Sequence, residues 1–512
     1  MPGRNADGII SEHGKYSAAY MSDWATLPTA DKHPRRPLPP LSSLQPVKGE
    51  TLRRAWLHEK NVRLADLELA VTWENHADPA SATGTKQNAA GNQTKSPHAT
   101  TLFRITNADE VVVENITLLQ ADADYRAYNT ILIEGADRVV IRNVRLAGTV
   151  ASFHLRIEGC RDVFIDNLEI AGLDYHGHGR PRVGGGLWLN NGNTGRLGIN
   201  GTGLWTEYAR QPGWQVIQNS YFHDGIESDG GEWRNQDAVL IHHPGHGVLF
   251  NNVVENWFHP PMDGGFDIAF RRADPELQGK FFRIERNILR NVTLIKTPAA
   301  APGPNTLFYA NNLFINTRLA DYHKGAANEV RYIHNTYVYD LAKAPPPLRQ
   351  LARRGASGYA CLWNYGATTR LENSLLYRPD ADVPFTLYSA NKDAAPDKYL
   401  HFKPANNTYA LDTQKLAWLR TARDGIKCST LGDWRGLTGA DAGSVLVTPP
   451  TVRFANYEND DFRLRAIPAA TAASDYLSPA DKRMKIDRDF HGQPRNRAVT
   501  APGAFCAIPA AP

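Results

Sequence analysis

Apolar and polar positions alternate along this chain in short bursts, and the bursts end on asparagine. The pattern is apolar-x-apolar-x-Asn, followed by further apolar residues. It reads VVVENITL at Asn115, VVIRNVRL at Asn143, VFIDNLEI at Asn167 and VIQNSYF at Asn219. It returns at Asn252 (VLFNNVV), Asn287 (FRIERNIL), Asn312 (YANNLFI), Asn335 (RYIHNTYV) and Asn373 (RLENSLL), with a weaker copy at Asn200 (RLGINGTGL). Alternation with a period of two predicts strands. A repeat distance in the low twenties, lengthened by insertions, predicts stacked coils.

Two adjacent repeats fix the register. In TILIEGADRVVIRNVRLAG and HLRIEGCRDVFIDNLEIAG, Ile133 and Ile157 are 24 residues apart, as are Asn143 and Asn167. Each repeat holds three short apolar stretches separated by turns. This predicts an all-β fold, a right-handed, single-stranded parallel β-helix. An internal asparagine at each turn can hydrogen-bond its neighbours above and below, which predicts a ladder. NVRLADLELAV (61–71) reads as one more coil, with Asp66 at the asparagine position.

The boundaries follow from where the pattern starts and stops. Residues 1–48 are Pro-rich and aperiodic, an extended arm or cap. Residues 49–390 carry the β-helix, and 391–512 form an irregular closing region packed on it. The polar segment 75–100 reads as a long irregular loop leaving the stack. LDTQKLAWLRTAR (411–423) has helical spacing and predicts a capping helix.

Composition narrows the picture. Of 512 residues, 42% are hydrophobic, enough to fill a continuous core, and 41 Gly with 33 Pro suit a turn-rich chain. The formal charge of +4, without a basic run, argues against nucleic acid. No apolar run approaches the ~20 residues of a membrane span, so no membrane insertion is expected. No signal peptide is visible. The four cysteines lack metal-type spacing, which argues against zinc. Cys160 and Cys361 fall in apolar repeats and read as buried thiols, whereas Cys428 and Cys506 fall in the irregular C-terminal region and can pair in an oxidising compartment.

With these repeats, the chain resembles the pectate-lyase-like right-handed β-helix superfamily of secreted bacterial polysaccharide lyases and glycoside hydrolases. Its C-terminal part adds to the resemblance. The run TGADAGS (438–444), the strand DFRL (461–464) and DRDFHGQPR (487–495) match motifs that close many such proteins. The resemblance spans about residues 50 to 500 and is specific for architecture. It implies a polysaccharide substrate and a secreted or periplasmic location.

Strand alternation predicts which side chains meet. Aligning ILIE (131–134), LRIE (155–158), LWLN (187–190), VLIH (239–242) and FDIA (266–269) places an apolar pair inward every time. One outward file is Leu132, Arg156, Trp188, Leu240 and Asp267. The other is Glu134, Glu158, Asn190, His242 and Ala269. His154 and Arg271 flank these strands. In the superfamily this face usually floors a saccharide groove; outward Trp suits sugar stacking and Arg suits a carboxylate. The loops 173–186 (Tyr175, His178, Arg180) and 223–247 (Asp237, His246) are expected to wall it, with Asp263 and Lys296 following.

The resemblance and these residues together predict glycosidic bond cleavage in an acidic polysaccharide. β-Elimination is the first choice, with His242, His246 or Lys296 as base and Arg156 or Arg271 neutralising the uronate. Asp237 and Asp267 complete the catalytic set. Substrate contacts are expected from Glu134, His154, Arg156, Glu158, Tyr175, His178, Arg180, Trp188, Asn190 and Asp263. The alternative is a glycoside hydrolase using two carboxyls, for which Glu134 and Glu158, one coil apart, approach the ~5–5.5 Å of a retaining pair. A further alternative is a non-catalytic glycan-binding or spike-type protein. The oligomeric state expected is monomer or trimer. No metal ligand set stands out; Ca2+ is the ion that Asp229, Asp237, Asp263 or Asp267 would suit. GHG (245–247) matches a short motif of polygalacturonases, but NQD (235–237) fits only approximately and no RIK-type motif follows.

Overall fold

The structure, a computed structural model, describes the strands at 45–46, 56–57, 61–71, 85–87 and 93–95 and most of residues 101–506. Within the latter span it leaves out 107, 121–128, 149, 151, 173–184, 191–212, 226–236, 243–244, 258–263, 270–278, 294, 297–303, 322–328, 347, 350–361, 365–367, 380–386, 391–401, 412–415, 421–424, 467–474 and 496–500. The architecture is a right-handed parallel β-helix. Two compact units can be distinguished, one built mainly on residues 33–246 and 254–268, the other on 247–253 and 269–512.

In the first unit, one sheet is formed by β1 (Phe103–Thr106), β2 (Ile131–Glu134), β3 (Phe153–Glu158), β4 (Gly185–Asn190), β5 (Val239–His242) and β6 (Phe266–Ala269), side by side in that order. Ile131, Leu155 and Leu187 pair in register, as do Ile133, Ile157 and Leu189. These inward side chains are buried, each contributing roughly 2–3 kcal/mol of hydrophobic stabilisation. A second parallel sheet stacks Asn61–Val71, Glu110–Gln120, Arg138–Gly148 and Asp162–Ala171. Its pairings Ala65↔Glu114 and Leu67↔Ile116 set Asp66 opposite Asn115, as the repeat predicts. Asn115, Asn143, Asn167 and Asn219 have φ of 51–55°, the left-handed region that asparagine tolerates better than other side chains. They turn the corner between adjoining strand segments. Their side chains bond outside the barrel: Asn143 Nδ2 donates to Asn115 Oδ1 (3.1 Å) and Asn167 Nδ2 to Asn143 Oδ1 (2.8 Å).

The second unit repeats the scheme with one change. The left-handed position is now Asn251, Arg286, Asn311, His334, Asn373 and Asn406. The residue after it, Asn252, Asn287, Asn312, Asn335, Ser374 and Asn407, is fully buried. These residues form the ladder inside. Asn287 Oδ1 accepts from Asn252 N (2.9 Å) and Nδ2 (3.0 Å), Asn312 Oδ1 accepts the same pair from Asn287, and Asn335 Oδ1 from Asn312. It continues through Ser374 and Asn407 to Ser444. The turn itself is unchanged. The left-handed residue stands two after the inward Ile141 and two after the inward Ile284, and the next residue points inside in both units, as Val144 in one and Asn287 in the other. The switch is one of residue type at that inward position. Asn373 thus belongs to the corner set, with Ser374 as the ladder residue.

The closing motifs have identifiable tasks in this unit. In TGADAGS, Ser444 Oγ accepts from Asn407 N and ends the ladder, while Asp441 accepts from Tyr409 Oη (2.8 Å) and from the Ser444 hydroxyl. In the 487–495 run, Arg495 is buried and donates to Asn311 Oδ1, Gly503 O and Ala504 O.

Two expectations are corrected. The described residues of 411–423 form no helix: Leu411 ends the strand Thr408–Leu411, and Ala417–Arg420 is a strand paired in parallel with Leu387–Ala390 and antiparallel with Gly425–Cys428. Pairing with an existing strand outweighs the helical spacing. Helix α1 lies further on, at Leu431–Thr438, with a Thr430–Asp433 capping box. The 75–100 segment contains an antiparallel pair, Thr85–Gln87 with Gln93–Lys95. Cys428 and Cys506 are free thiols, and Cys160 is a buried one, as expected; Cys361 lies outside the described residues.

Candidate functional site

The outward files of the first unit assemble as the alignment predicts. Glu134, Glu158, Asn190 and His242 occupy matching positions on β2 to β5. Leu132, Arg156, Trp188 and Leu240 do the same two residues earlier. Strand spacing puts neighbours within each file ~4.8 Å apart at the backbone. The files begin one strand earlier than the sequence alignment, with Arg104 and Thr106 of β1. FRIT (103–106) carries the same alternation as ILIE, which is the signal that could have found Arg104.

The strip is not an open groove floor. Glu158 and Asp267 are 0% exposed, and Glu134, Arg156, Asn190 and His242 are also buried. So many polar groups withdrawn from water must bond to one another. Arg104 pairs with Glu134 (2.8 Å) and Arg156 with Glu158 Oε1. The Arg156 guanidinium also lies 4.0 Å from the Trp188 ring centroid. Phe153 (5.2 Å) and the edge-on His242 ring (5.9 Å) flank the same indole. Trp188 is therefore not a free stacking platform for a sugar, because its neighbours already pack against it.

Glu158 is the chemically distinctive member. Burial pushes its carboxyl above the usual range, against the pull of Arg156, and the nearby Glu134 adds to the rise. Its Oε2 and the Trp188 Nε1–H are buried with no hydrogen-bond partner among the described residues.

Other expected site residues have different tasks. His154 is fully buried between Thr130 Oγ1 (3.1 Å) and Gly148 O (3.2 Å), and burial lowers its pKa to about 4. It is a neutral tie between neighbouring coils, with both ring nitrogens engaged. Asp237 Oδ1 accepts from Gly264 N (2.9 Å), spending one oxygen on joining coils. His246 starts the strand His246–Phe250 of the other sheet and packs on Trp214 (5.2 Å), so it does not join His242 on the strip. Asp267 lies on β6 in the first outward file. The backbone of Lys296 belongs to the strand Ile295–Lys296 of the second unit, and its side chain lies outside the described residues. So do Tyr175, His178, Arg180, Asp229, Asp263 and Arg271. Among the described residues, no group of three His, Cys, Asp or Glu can hold a metal ion.

A second polar cluster on the first unit escaped the sequence reading. His223 Nδ1 meets Asp224 Oδ2 (2.8 Å), its Nε2 meets Glu169 Oε1 (3.5 Å), and Arg145 Nε reaches Glu169 Oε2 (3.0 Å). The two carboxylates raise the His223 pKa although burial opposes them. Tyr221 stacks on His223 at 4.1 Å and donates to Glu255. The members come from four stretches of sequence, so no local motif marks them.

No family model and no curated protein matches the chain. Among solved structures, the crystal structure of PfbA, a surface adhesin of Streptococcus pneumoniae, is similar over 73% of this chain and 86% of that chain, at 10% identity and a TM-score of 0.26. What holds of the superfamily resemblance is the parallel β-helix itself. Among the described residues, no helix is long and apolar enough to cross a membrane.

Proposed function

We propose that this β-helix cleaves glycosidic bonds by hydrolysis, with Glu158 as proton donor and Glu134 as the second carboxyl. The observation that carries the reading is this pair on adjacent strands. Each has a guanidinium partner, Arg156 on Glu158 and Arg104 on Glu134, and burial raises Glu158 toward its protonated form. Two carboxyls in unlike environments are the division of labour that acid and nucleophile need. Their one-strand spacing approaches the retaining separation of ~5–5.5 Å. Glu158 gives its proton to the glycosidic oxygen as the bond to C1 breaks, and Glu134 attacks C1. Water then releases the glycosyl group, with Glu158 taking the proton back.

Elimination, the first choice from sequence, needs a cation free to neutralise a uronate. Arg156 is held by Glu158, and the side chains of Arg271 and Lys296 lie outside the described residues. The carboxyl pair therefore has the better support. The strip is closed to solvent, so a glycan has to open it. A polysaccharide substrate fits a secreted or periplasmic location.

Digestion of a panel of acidic and neutral polysaccharides, followed by mass analysis, tests the reading. Products carrying an added water are expected, and Glu158→Gln should lower turnover by about 10²–10⁴. Ultraviolet-absorbing unsaturated products without added water would overturn hydrolysis in favour of elimination. Glycan binding with no cleavage anywhere would assign a non-catalytic role.

A further inference from the structure

We infer that Arg156 and Trp188 form a clamp that positions the acid: the guanidinium holds Glu158 Oε1, the indole face holds the guanidinium, and Oε2 is left to carry the proton. This rests on the reading that Glu158 is the proton donor. Arg156 and Glu158 stand two residues apart on β3, and Trp188 stands opposite Arg156 on β4. Arg156 Nε and Nη2 both reach Glu158 Oε1. Oε2 is buried without a hydrogen-bond partner among the described residues. The face of the guanidinium has its own contact, with its carbon 4.0 Å from the indole centroid. Phe153 packs on the same indole at 5.2 Å.

A protonated carboxyl has one O–H and one bare oxygen. A guanidinium has only N–H donors, so it takes the bare oxygen and leaves the O–H on the other. Contacts confined to Oε1 thus fix Oε2 as the donor atom. The clamp also serves the ionised state. When Oε2 gives up its proton, the carboxylate left behind already has its cation in place. While Glu158 is protonated the guanidinium loses its ion pair, and the indole face keeps it seated. Lysine cannot do both tasks, because its ammonium lacks the flat fork that meets an oxygen at its edge and a ring at its face. Burial raises the Glu158 carboxyl, and Arg156 pulls most strongly the other way. The remaining neighbours leave Arg156 to Glu158. Glu134 is held by Arg104, Asn190 adds a weaker pull toward the ionised form, and the Cys160 thiol donates to the Glu158 carbonyl. His242 lies one strand beyond Asn190.

The test is a pH titration of the full chain followed by carbon-13 NMR of its glutamate carboxyls, with Glu158→Gln identifying the Glu158 signal. Arg156→Met should move the Glu158 midpoint upward by at least about one pH unit, because burial then acts without its main opponent. Trp188→Leu should move it the same way by less, since the guanidinium can then leave the protonated acid. It should have no further effect in the Arg156→Met background, because Trp188 acts through Arg156. Trp188→Phe, which keeps an aromatic face, should restore the midpoint. With a cleaved substrate, the alkaline limb of kcat/KM should move with it. A residue that only supports the fold would lower the melting temperature and leave the midpoint in place. An unmoved midpoint in Arg156→Met or in Trp188→Leu overturns the inference. The second can be read even if the first does not fold, because Trp188 is only partly buried. Shifted midpoints in a chain that cleaves no polysaccharide support the clamp while removing the cleavage reading. Unmoved midpoints in a chain that cleaves overturn the clamp alone.

Discussion

The two units use one residue, asparagine, at one kind of corner in opposite ways. In the first unit Asn143 and Asn167 sit in the left-handed position and bond along the outside. In the second, Asn287 and Asn312 sit one residue later, inside, and each Oδ1 receives both a backbone and a side-chain N–H from the coil before. An outside corner needs asparagine mainly for its backbone tolerance. An inside corner needs it for hydrogen bonds that water cannot replace. The turn has the same length in both units; what differs is which of its two neighbouring positions, corner or inside, carries the asparagine.

Four measurements sharpen or break this contrast, in order of expected size. Asn312→Ala removes bonds to Ile284 O and Asn335 Oδ1 and strands the donors of Asn287. It should destabilise the second unit by about 3–5 kcal/mol, read from denaturant unfolding. A cost below ~1 kcal/mol would mean the inner ladder is ornamental. Arg495→Met leaves Asn311 Oδ1 and the carbonyls of Gly503 and Ala504 without their donor. About 2–4 kcal/mol is expected, with earlier proteolysis of the C-terminal segment as a second readout. Asn143→Ala should cost about 1–2 kcal/mol through the left-handed backbone, whereas Asn143→Gly should stay within ~0.5 kcal/mol of the unaltered chain. If glycine proves as costly as alanine, the outer side-chain bonds matter more than the backbone does.

The fourth concerns pH. His223 in the first unit has a raised pKa, so its contribution is full below the unfolded value of ~6.5 and fades as pH rises through the folded value. His334 in the second unit is buried and lowered well below 6.5, with Arg495 adding to the effect. Its contribution is full above the unfolded value and fades as pH falls toward the folded one. The variant His223→Gln should therefore lose a stability component that declines on the alkaline side, and His334→Asn one that declines on the acid side. Melting midpoints of both variants from pH 5 to 9 check the signs. The same slope change in both would contradict the assignment.

Much of the fold was legible. Period-two alternation and the 24-residue spacing from Asn143 to Asn167 gave the coil, the register and the outward files, because parallel strands in a stack repeat one environment. The files Glu134–Glu158–Asn190–His242 and Arg156–Trp188 were readable for that reason. Their partners were less so. Alternation says that a side chain points outward, but not whether water lies beyond it, and so the burial of Glu158 and the enclosure of Trp188 were invisible. Asp237, expected in the catalytic set, and His154, expected to touch substrate, tie neighbouring coils together.

The amino-acid sequence by itself determined the β-helix and the placement of each strand residue inside or outside, because these follow from local periodicity repeated along the chain. Only the tertiary structure decided the rest. It set which asparagines bond inside, which carboxyl of the strip is desolvated, and which guanidiniums are already taken. Those depend on distances between coils and on exclusion of water, and neither is written in any one stretch of residues.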